Sequence, residues 1–295
     1  MLNFMSDSDS QRRFILEHTN VRGIITRLDH SWRTMLEGRN YPPIIRDLLG
    51  QAATAVCLLS ATLKSNSSLT LQIQGGNPLS LLVMQVNESQ HFRGMAEWQG
   101  ELNEATLDKL CHGGQLTITI EQNSGERYQS IVDMHQDSLA KALHSYFQQS
   151  EQLPTDLWLA TNDKHAVGLL LQALPEQSEH DDPDAWNRAC QLANTVTDKE
   201  LLELPTEELL HRLYHEEDVR LYETNPVVFR CRCSRERVAG NLRSLGKKEV
   251  QDIIEEQGSI SINCGFCQQQ YEFDPIDATQ LFVDTTSPDL SPTKH

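Results

Sequence analysis

A chain of 295 residues exceeds one average domain, so its length predicts two or three compact units. The formal net charge is −17, and such an acidic surface opposes binding to nucleic-acid phosphates and to anionic membrane surfaces. The chain shows no basic start followed by an apolar stretch, and its longest apolar run, 55–63, is too short to cross a bilayer. These features predict a cytoplasmic protein whose thiols are kept reduced.

Residues 1–175 mix helix and strand patterns and are predicted to form one α+β domain. Pro42 begins a helical pattern that continues to Leu59. Three later segments alternate apolar and polar residues as strands do: 69–73, 116–120 and 128–132. Glycine pairs at 75–76 and 113–114 are not followed by the Lys-Ser/Thr pair of a phosphate loop, so we expect no nucleotide site.

Residues 176–225 are predicted to be an acidic helical linker. They hold 14 acidic and 4 basic side chains, so more than half of the net charge lies in a sixth of the chain. Helical patterns occupy 186–196, 199–204 and 207–221, and Thr197 and Glu200 have the spacing of a capping box. Charge repulsion and thin apolar faces predict low stability. We expect one apolar stripe to pack on the N-terminal domain: Leu209, Leu210, Leu213 and Tyr214.

The seven cysteines divide into three isolated residues and two close pairs. The isolated ones are predicted to be packed or catalytically inert thiols: Cys57, Cys111 and Cys190. The others form the pairs Cys231/Cys233 and Cys264/Cys267, with 30 residues between the pairs. Two such pairs supply four thiolates to one tetrahedral zinc ion, which leaves no open position for hydrolytic chemistry. The sequence therefore predicts one zinc site with four cysteine ligands.

Residues 226–285 are predicted to fold as a small α+β module around this zinc. The pattern predicts a helix after Ser234, a helix over 248–257, and strands over 259–262 and 270–273. Few large apolar side chains are available for a core, so we expect the module to fold only with metal bound. Residues 286–295 are predicted to be a disordered tail.

The spacing of the cysteines leaves open whether the zinc is permanently structural or part of a sensor. Oxidation between near neighbours would form small-loop disulfides, which cannot replace a cross-link over 30 residues. The module can therefore act physically as a redox switch. Four arginines beside the first pair either lower the thiol pKa values or simply solvate the surface: Arg230, Arg232, Arg235 and Arg237.

Several segments resemble the 33-kDa chaperonin family, the redox-regulated heat-shock holdases of bacteria. The most specific are the CxC and CxxC pairs with FRCRCSRER at 229–237, and RLYHEE at 212–217. Further similar segments extend the resemblance over essentially the whole chain: ATLK at 61–64, SGERYQ at 124–129, YFQQSEQLPT at 146–155 and LLLQALP at 169–175.

The resemblance implies an ATP-independent molecular chaperone that is not an enzyme. The reduced, zinc-bound form is then largely inactive. Oxidation pairs Cys231 with Cys233 and Cys264 with Cys267, releases zinc and unfolds the module and the linker. The resulting homodimer binds unfolding client proteins and, after reduction, passes them to ATP-dependent foldase chaperones. We hypothesise that the linker covers a client-binding surface in the reduced form.

Two other classes of function remain open from the residues alone. A CxxC motif also occurs in thiol–disulfide oxidoreductases, where it lies at the start of a helix. Here the residues after Cys267 predict a strand, which disfavours that class. The second class is a nucleic-acid-binding zinc module, and only the arginines near Cys231 support this hypothesis.

Overall fold

The computed structural model describes residues 7–63, 67–102, 106–132, 134–150, 153–175, 182 and 184–283. The architecture is α+β, as predicted, and the chain divides into two compact units between Arg230 and Cys231. The predicted tail, 286–295, and most of the acidic stretch 176–184 lie outside the described residues. The linker, 176–225, falls within the first unit, and the domain boundaries at 175 and 225 stay predictions.

The first unit contains eleven strands and seven helices in its described part. In chain order the strands are β1 (Ser10–Leu16), β2 (Val21–Leu28), β3 (Ser67–Gln74), β4 (Leu79–Val86), β5 (His91–Trp98), β6 (Gln115–Gln122), β7 (Arg127–Val132), β8 (Thr155–Thr161), β9 (Ala166–Ala173), β10 (Val219–Pro226) and β11 (Val228–Phe229). The helices are α1 (His30–Leu36), α2 (Pro43–Ser60), α3 (Leu107–Cys111), α4 (Leu139–Ser150), α5 (Ala185–Ala193), α6 (Asp198–Glu203) and α7 (Thr206–Tyr214).

The strands form two sheets on either side of α2. One sheet has the order β10-β1-β2-β9-β8 and is antiparallel throughout. The other has the order β11-β5-β4-β3-β6-β7 and contains the three strands expected from alternation. Pro43 stands at the first helical position of α2, where its fixed φ favours helix formation and its missing N–H costs nothing. The apolar residues of α2 pack against residues of both sheets and form the centre of the main core of the unit.

The glycine pairs serve a close backbone approach. The carbonyl oxygen of Cys111 accepts hydrogen bonds from the N–H groups of Gly76 and Gly114, at 2.8 and 3.0 Å. A Cβ atom on Gly75 would lie 2.7 Å from that oxygen, which no larger residue tolerates. Packing of the two loops thus explains Gly75 and Gly114 without a phosphate ligand.

Helices α5, α6 and α7 cover the face of the five-stranded sheet that points away from α2. All eight residues of β9 are buried, because its side chains alternate between α2 and these helices. The capping box at α6 is confirmed, since the side chain of Glu200 accepts from Thr197 N–H and Thr197 Oγ1 accepts from Glu200 N–H. The predicted packing of the leucine stripe of α7 is also confirmed, on a core that includes β1, β2 and β9.

The prediction that the last linker helix extends to Leu221 was wrong. Helix α7 ends at Tyr214, and the chain returns as β10, which pairs antiparallel with β1. Val219 and Leu221 alternate toward the core under α7, while Arg220 between them is exposed. The open edge of β1 thus selects a strand where the local sequence pattern suggested a helix.

The second unit is a small α+β module, as predicted. Its elements are α8 (Arg235–Leu245), α9 (Lys247–Gln257), β12 (Ile260–Asn263), β13 (Gln270–Phe273) and α10 (Pro275–Gln280). The hydroxyl of Ser234 accepts from Arg237 N–H and caps α8, and Gly258 ends α9 with a φ of 78°. Helix α10 was not anticipated. The described core holds only eight buried apolar residues, which is small for independent stability.

No helix in the described ranges combines the length and the apolar character that crossing a membrane requires.

Candidate metal centre

The two cysteine pairs lie in irregular segments that the module's secondary structure holds in place. Cys231 and Cys233 precede the capped start of α8. Cys264 and Cys267 occupy the turn that joins β12 to β13. This turn is closed by two backbone bonds, from Cys264 N–H to the Gln269 carbonyl and from Gln268 N–H to the Cys264 carbonyl, each 2.9 Å. Sequence-distant segments therefore present their thiols to one another.

The four sulfur atoms form one cluster with the dimensions of a metal site. Cys231 Sγ lies 3.6 Å from Cys264 Sγ, and Cys233 Sγ lies 3.3 Å from Cys267 Sγ. All four sulfur atoms lie within 4.8 Å of one another. A tetrahedral zinc with Zn–S bonds of about 2.3 Å separates its ligands by roughly 3.8 Å. The donor set and its spacing therefore fit one zinc ion.

Hydrogen bonds make one thiol of the cluster more acidic than those of Cys231 and Cys267. Burial by itself raises the pKa of Cys264, but this sulfur accepts hydrogen bonds from the N–H groups of Phe266 and Cys267 and from the thiols of Cys231 and Cys233. These bonds lower the pKa of Cys264 to about 7. Burial is the largest cause that raises the pKa values of Cys231 and Cys267. Cys264 therefore ionises more readily than Cys231 and Cys267.

Two of the four neighbouring arginines have structural partners inside the module. The guanidinium of Arg235 lies 4.3 Å from the ring centroid of Phe273 and donates to the carbonyl of Glu272 and to the carboxylate of Asp277. Arg237 donates to the carbonyl of Arg232 at 2.7 Å. For Arg235 and Arg237 these contacts favour a structural role over tuning of the thiols.

Sequence reasoning missed one member of the site. The hydroxyl of Tyr271, on β13, donates to Cys233 Sγ at 3.1 Å. The hydrogen bond to Cys233, with burial as a smaller cause, raises the pKa of Tyr271 to about 12. The sequence feature that could have indicated this contact is the position of Tyr271, four residues after the CxxC motif. Tyrosine combines an apolar ring with a hydroxyl that seeks a hydrogen-bond partner.

The three isolated cysteines lie apart from the cluster as buried thiols, which confirms that they are packed side chains. Burial raises the pKa of Cys57, and it raises the pKa values of Cys111 and Cys190 to about 12. Such thiols carry almost no thiolate near neutral pH and react slowly with oxidants.

The chain matches a family model and curated relatives over nearly its whole length. The family model described as Hsp33 protein matches residues 9–274. A curated relative from Nitrosococcus oceani, named 33 kDa chaperonin, is 43% identical over 99% of this chain and 100% of its own length. A relative of the same name from Methylobacillus flagellatus is 46% identical over 95% and 96% of the two chains.

The fold also matches a solved structure. The crystal structure of a 33 kDa chaperonin from Thermotoga maritima superposes with a TM-score of 0.79 at 22% identity, covering 92% of this chain and 97% of that chain. The fold likeness and the near full-length sequence matches agree with the resemblance carried by the cysteine pairs. The chain therefore belongs to the Hsp33 protein family.

Proposed function

We propose that the protein is an ATP-independent molecular chaperone whose activity depends on the oxidation state of Cys231, Cys233, Cys264 and Cys267. The name chaperonin shared by the curated relatives supports the general activity. The observation that carries the proposal is an apolar sheet face that lies under three short helices of the acidic segment 176–225 in the first unit.

This covered face has the chemistry of a client-binding surface. It comprises buried side chains from four adjacent strands: Phe14, Leu16, Val21, Ile25, Ala160, Val167, Leu169 and Leu171. The helices α5–α7 cover it with residues such as Leu201, Leu209 and Tyr214. Removing these helices would expose a contiguous apolar patch, and such patches bind the apolar segments that unfolding proteins expose.

The covering helices are suited to leave the sheet. Helices α5, α6 and α7 have nine, six and nine residues, which is too short for stability without tertiary contacts. Residues 176–225 carry 14 acidic and 4 basic side chains, and their mutual repulsion opposes the compact arrangement. We infer that this linker masks the client-binding face in the reduced protein.

The four cysteines would hold one zinc ion in the reduced state, and zinc bound there would cross-link the two ends of the module. Structural zinc contributes an apparent ~10–16 kcal/mol to small domains. In each oxidation, two cysteine sulfurs join, and peroxide takes two electrons and two protons to become water. The pairs are those implied by the family resemblance, Cys231 with Cys233 and Cys264 with Cys267.

The neighbour disulfides cannot replace the lost cross-link. Closing loops of three or four residues contributes about 2 kcal/mol each on the chain-entropy model. The core of only eight buried apolar residues then has to hold the module alone, so we infer that oxidation unfolds it. Residues 219–230 connect the module to the linker helices along the chain. We infer that unfolding of the module acts through this segment and favours release of the linker helices from the sheet. From the same resemblance we propose a cytoplasmic protein whose oxidised form is a homodimer and transfers clients to ATP-dependent foldases.

The geometry does not favour the oxidoreductase alternative. Cys264 and Cys267 lie in a turn between two strands, whereas the reactive CxxC of such enzymes lies at a helix start. An insulin-reduction assay separates the two functions, because rapid turnover is expected only of the oxidoreductase.

A thermal aggregation assay tests the proposed function directly. Light scattering of a heat-denatured client enzyme is recorded with zinc-loaded reduced protein and with the same protein after peroxide treatment. Zinc release and free thiols are measured in parallel, and oxidised protein that is then reduced with a thiol in the presence of zinc controls for irreversible effects of peroxide on other residues. We expect suppression of scattering by the oxidised wild type alone. Equal suppression in both redox states would refute the regulation, and no suppression in either state would refute the chaperone activity.

Hydrogen exchange tests the masking hypothesis separately. Amides of α5–α7 are expected to lose protection on oxidation, because the helices leave the sheet. Equal protection in the reduced and oxidised proteins would contradict masking by the linker.

A further inference from the structure

Tyr271 places a hydroxyl donor on a sulfur of the cysteine cluster. Its position is fixed, because Tyr271 pairs with Ile262 across the β12–β13 hairpin and its ring packs against the core of the module. From there the hydroxyl reaches Cys233 Sγ at 3.1 Å, within the distance of a hydrogen bond to sulfur. The strand thus aims a side-chain donor at one of the four cysteines.

The hydrogen bond from Tyr271 comes from a side chain, whereas two neighbouring sulfurs accept from backbone N–H groups. Cys231 accepts from the backbone N–H of Cys233, and Cys267 accepts from the backbone N–H of Gln269. Backbone donors are fixed by the turn itself and do not depend on side-chain identity. A tyrosine hydroxyl depends on one residue, so its contribution can be removed by a single substitution that keeps the ring.

A hydrogen bond to a thiolate affects both metal binding and oxidation. Groups that hydrogen-bond to a metal ligand orient it, and their loss typically weakens metal affinity by about 10- to 100-fold. The same donor withdraws electron density from sulfur and occupies a lone pair, which slows nucleophilic attack on peroxide. The hydroxyl of Tyr271 therefore favours the metal-binding state of Cys233 over its oxidised state.

We propose that Tyr271 is a positioning residue that sets how readily the Cys231/Cys233 pair is oxidised. This inference rests on the proposed redox switch. In the step that it slows, Cys233 sulfur attacks hydrogen peroxide, forming an S–O bond as the O–O bond breaks. The departing hydroxide is protonated to water. Cys231 sulfur then attacks Cys233 sulfur, the S–S bond forms as the S–O bond breaks, and the second oxygen leaves as water.

The variant Tyr271→Phe tests the proposal in the full-length, reduced, zinc-loaded protein. It removes only the hydroxyl and keeps the ring against the core. Peptide mapping after timed exposure to hydrogen peroxide gives the rate at which each pair of cysteines is lost. We expect the Cys231/Cys233 pair to oxidise about tenfold faster, as for loss of one hydrogen bond to a charged group. Zinc affinity, measured by competition with a chromogenic chelator, should fall by about 10- to 100-fold.

The matched control is Tyr128→Phe, which removes an exposed hydroxyl bonded to Glu126 on the first unit. Its oxidation rate and zinc affinity should equal those of the wild type. Wild-type rates and affinity in Tyr271→Phe would overturn the proposal. Equal acceleration of both cysteine pairs, with lost hydrogen-exchange protection across the module, would also overturn it by showing a merely structural role. Because the readouts are thiol loss and zinc affinity, this test stands even if the chaperone assay fails.

Discussion

Arg27 on β2 connects the five-stranded sheet to the end of α6. Its guanidinium donates to the carbonyl oxygens of Leu201, Leu202 and Leu204, at 3.0, 2.7 and 2.8 Å. Only 8% of Arg27 is exposed, and this burial lowers its pKa, while Asp7 and Asp29 oppose that shift. Carbonyl groups at a helix end lack partners within the helix, and a cation there also interacts favourably with the helix dipole. The sheet therefore binds the linker through one buried side chain.

The substitution Arg27→Met keeps a long apolar side chain and removes all three donors. A hydrogen bond involving a charged group contributes about 1.5–3 kcal/mol, but water can reach the freed carbonyls at a helix end and recover part of this. We therefore expect the linker helices to lose about 3 kcal/mol of local stability. At 1.4 kcal/mol per factor of ten, their opening equilibrium rises by about 100-fold.

Hydrogen exchange on the reduced, zinc-loaded protein measures this opening. Amides of α6 and α7 should exchange about 100-fold faster in Arg27→Met, while β3 and β4 keep their protection. The matched control is Arg22→Met, because Arg22 lies on the same strand but donates to the side chain of Gln172 on β9. Unchanged exchange of α6 and α7, or equal acceleration in both variants, would refute the reasoning. Client protection by reduced Arg27→Met is the further expectation if the linker masks the binding face.

Three further predictions concern the cysteines. Excess chelator added to the reduced protein should abolish hydrogen-exchange protection in residues 231–283 and preserve it in β1–β9, because the eight-residue core of the module cannot hold alone; full protection of the module without metal would contradict this. After peroxide treatment, alkylation and peptide mapping should find Cys57, Cys111 and Cys190 still reduced, since burial raises their pKa values. The disulfides should join near neighbours; a Cys231–Cys264 bond would contradict the switch, because a loop of that length contributes about 4 kcal/mol and retains the cross-link.

Local signals in the sequence predicted the cluster of four cysteines and several element boundaries. The spacing of Cys231/Cys233 and Cys264/Cys267 predicted a shared site, and the structure brings their sulfur atoms within 4.8 Å. The caps at Thr197 and Ser234 were also predictable, since a capping residue acts on backbone N–H groups only three positions away. These features depend on near neighbours in the chain, which the sequence displays directly.

Tertiary structure decided the features that depend on residues far apart in the chain. Residues 219–226 form a strand because β1 offers an open edge, although the preceding helical pattern extended to Leu221. Strand β9 is buried on both faces, so it lacks the alternation that identifies a strand in sequence. The contacts of Arg27 with α6 span more than 170 positions, and Tyr271 reaches Cys233 from 38 positions away. No local propensity encodes such contacts, because they exist only once sheets and helices have packed together.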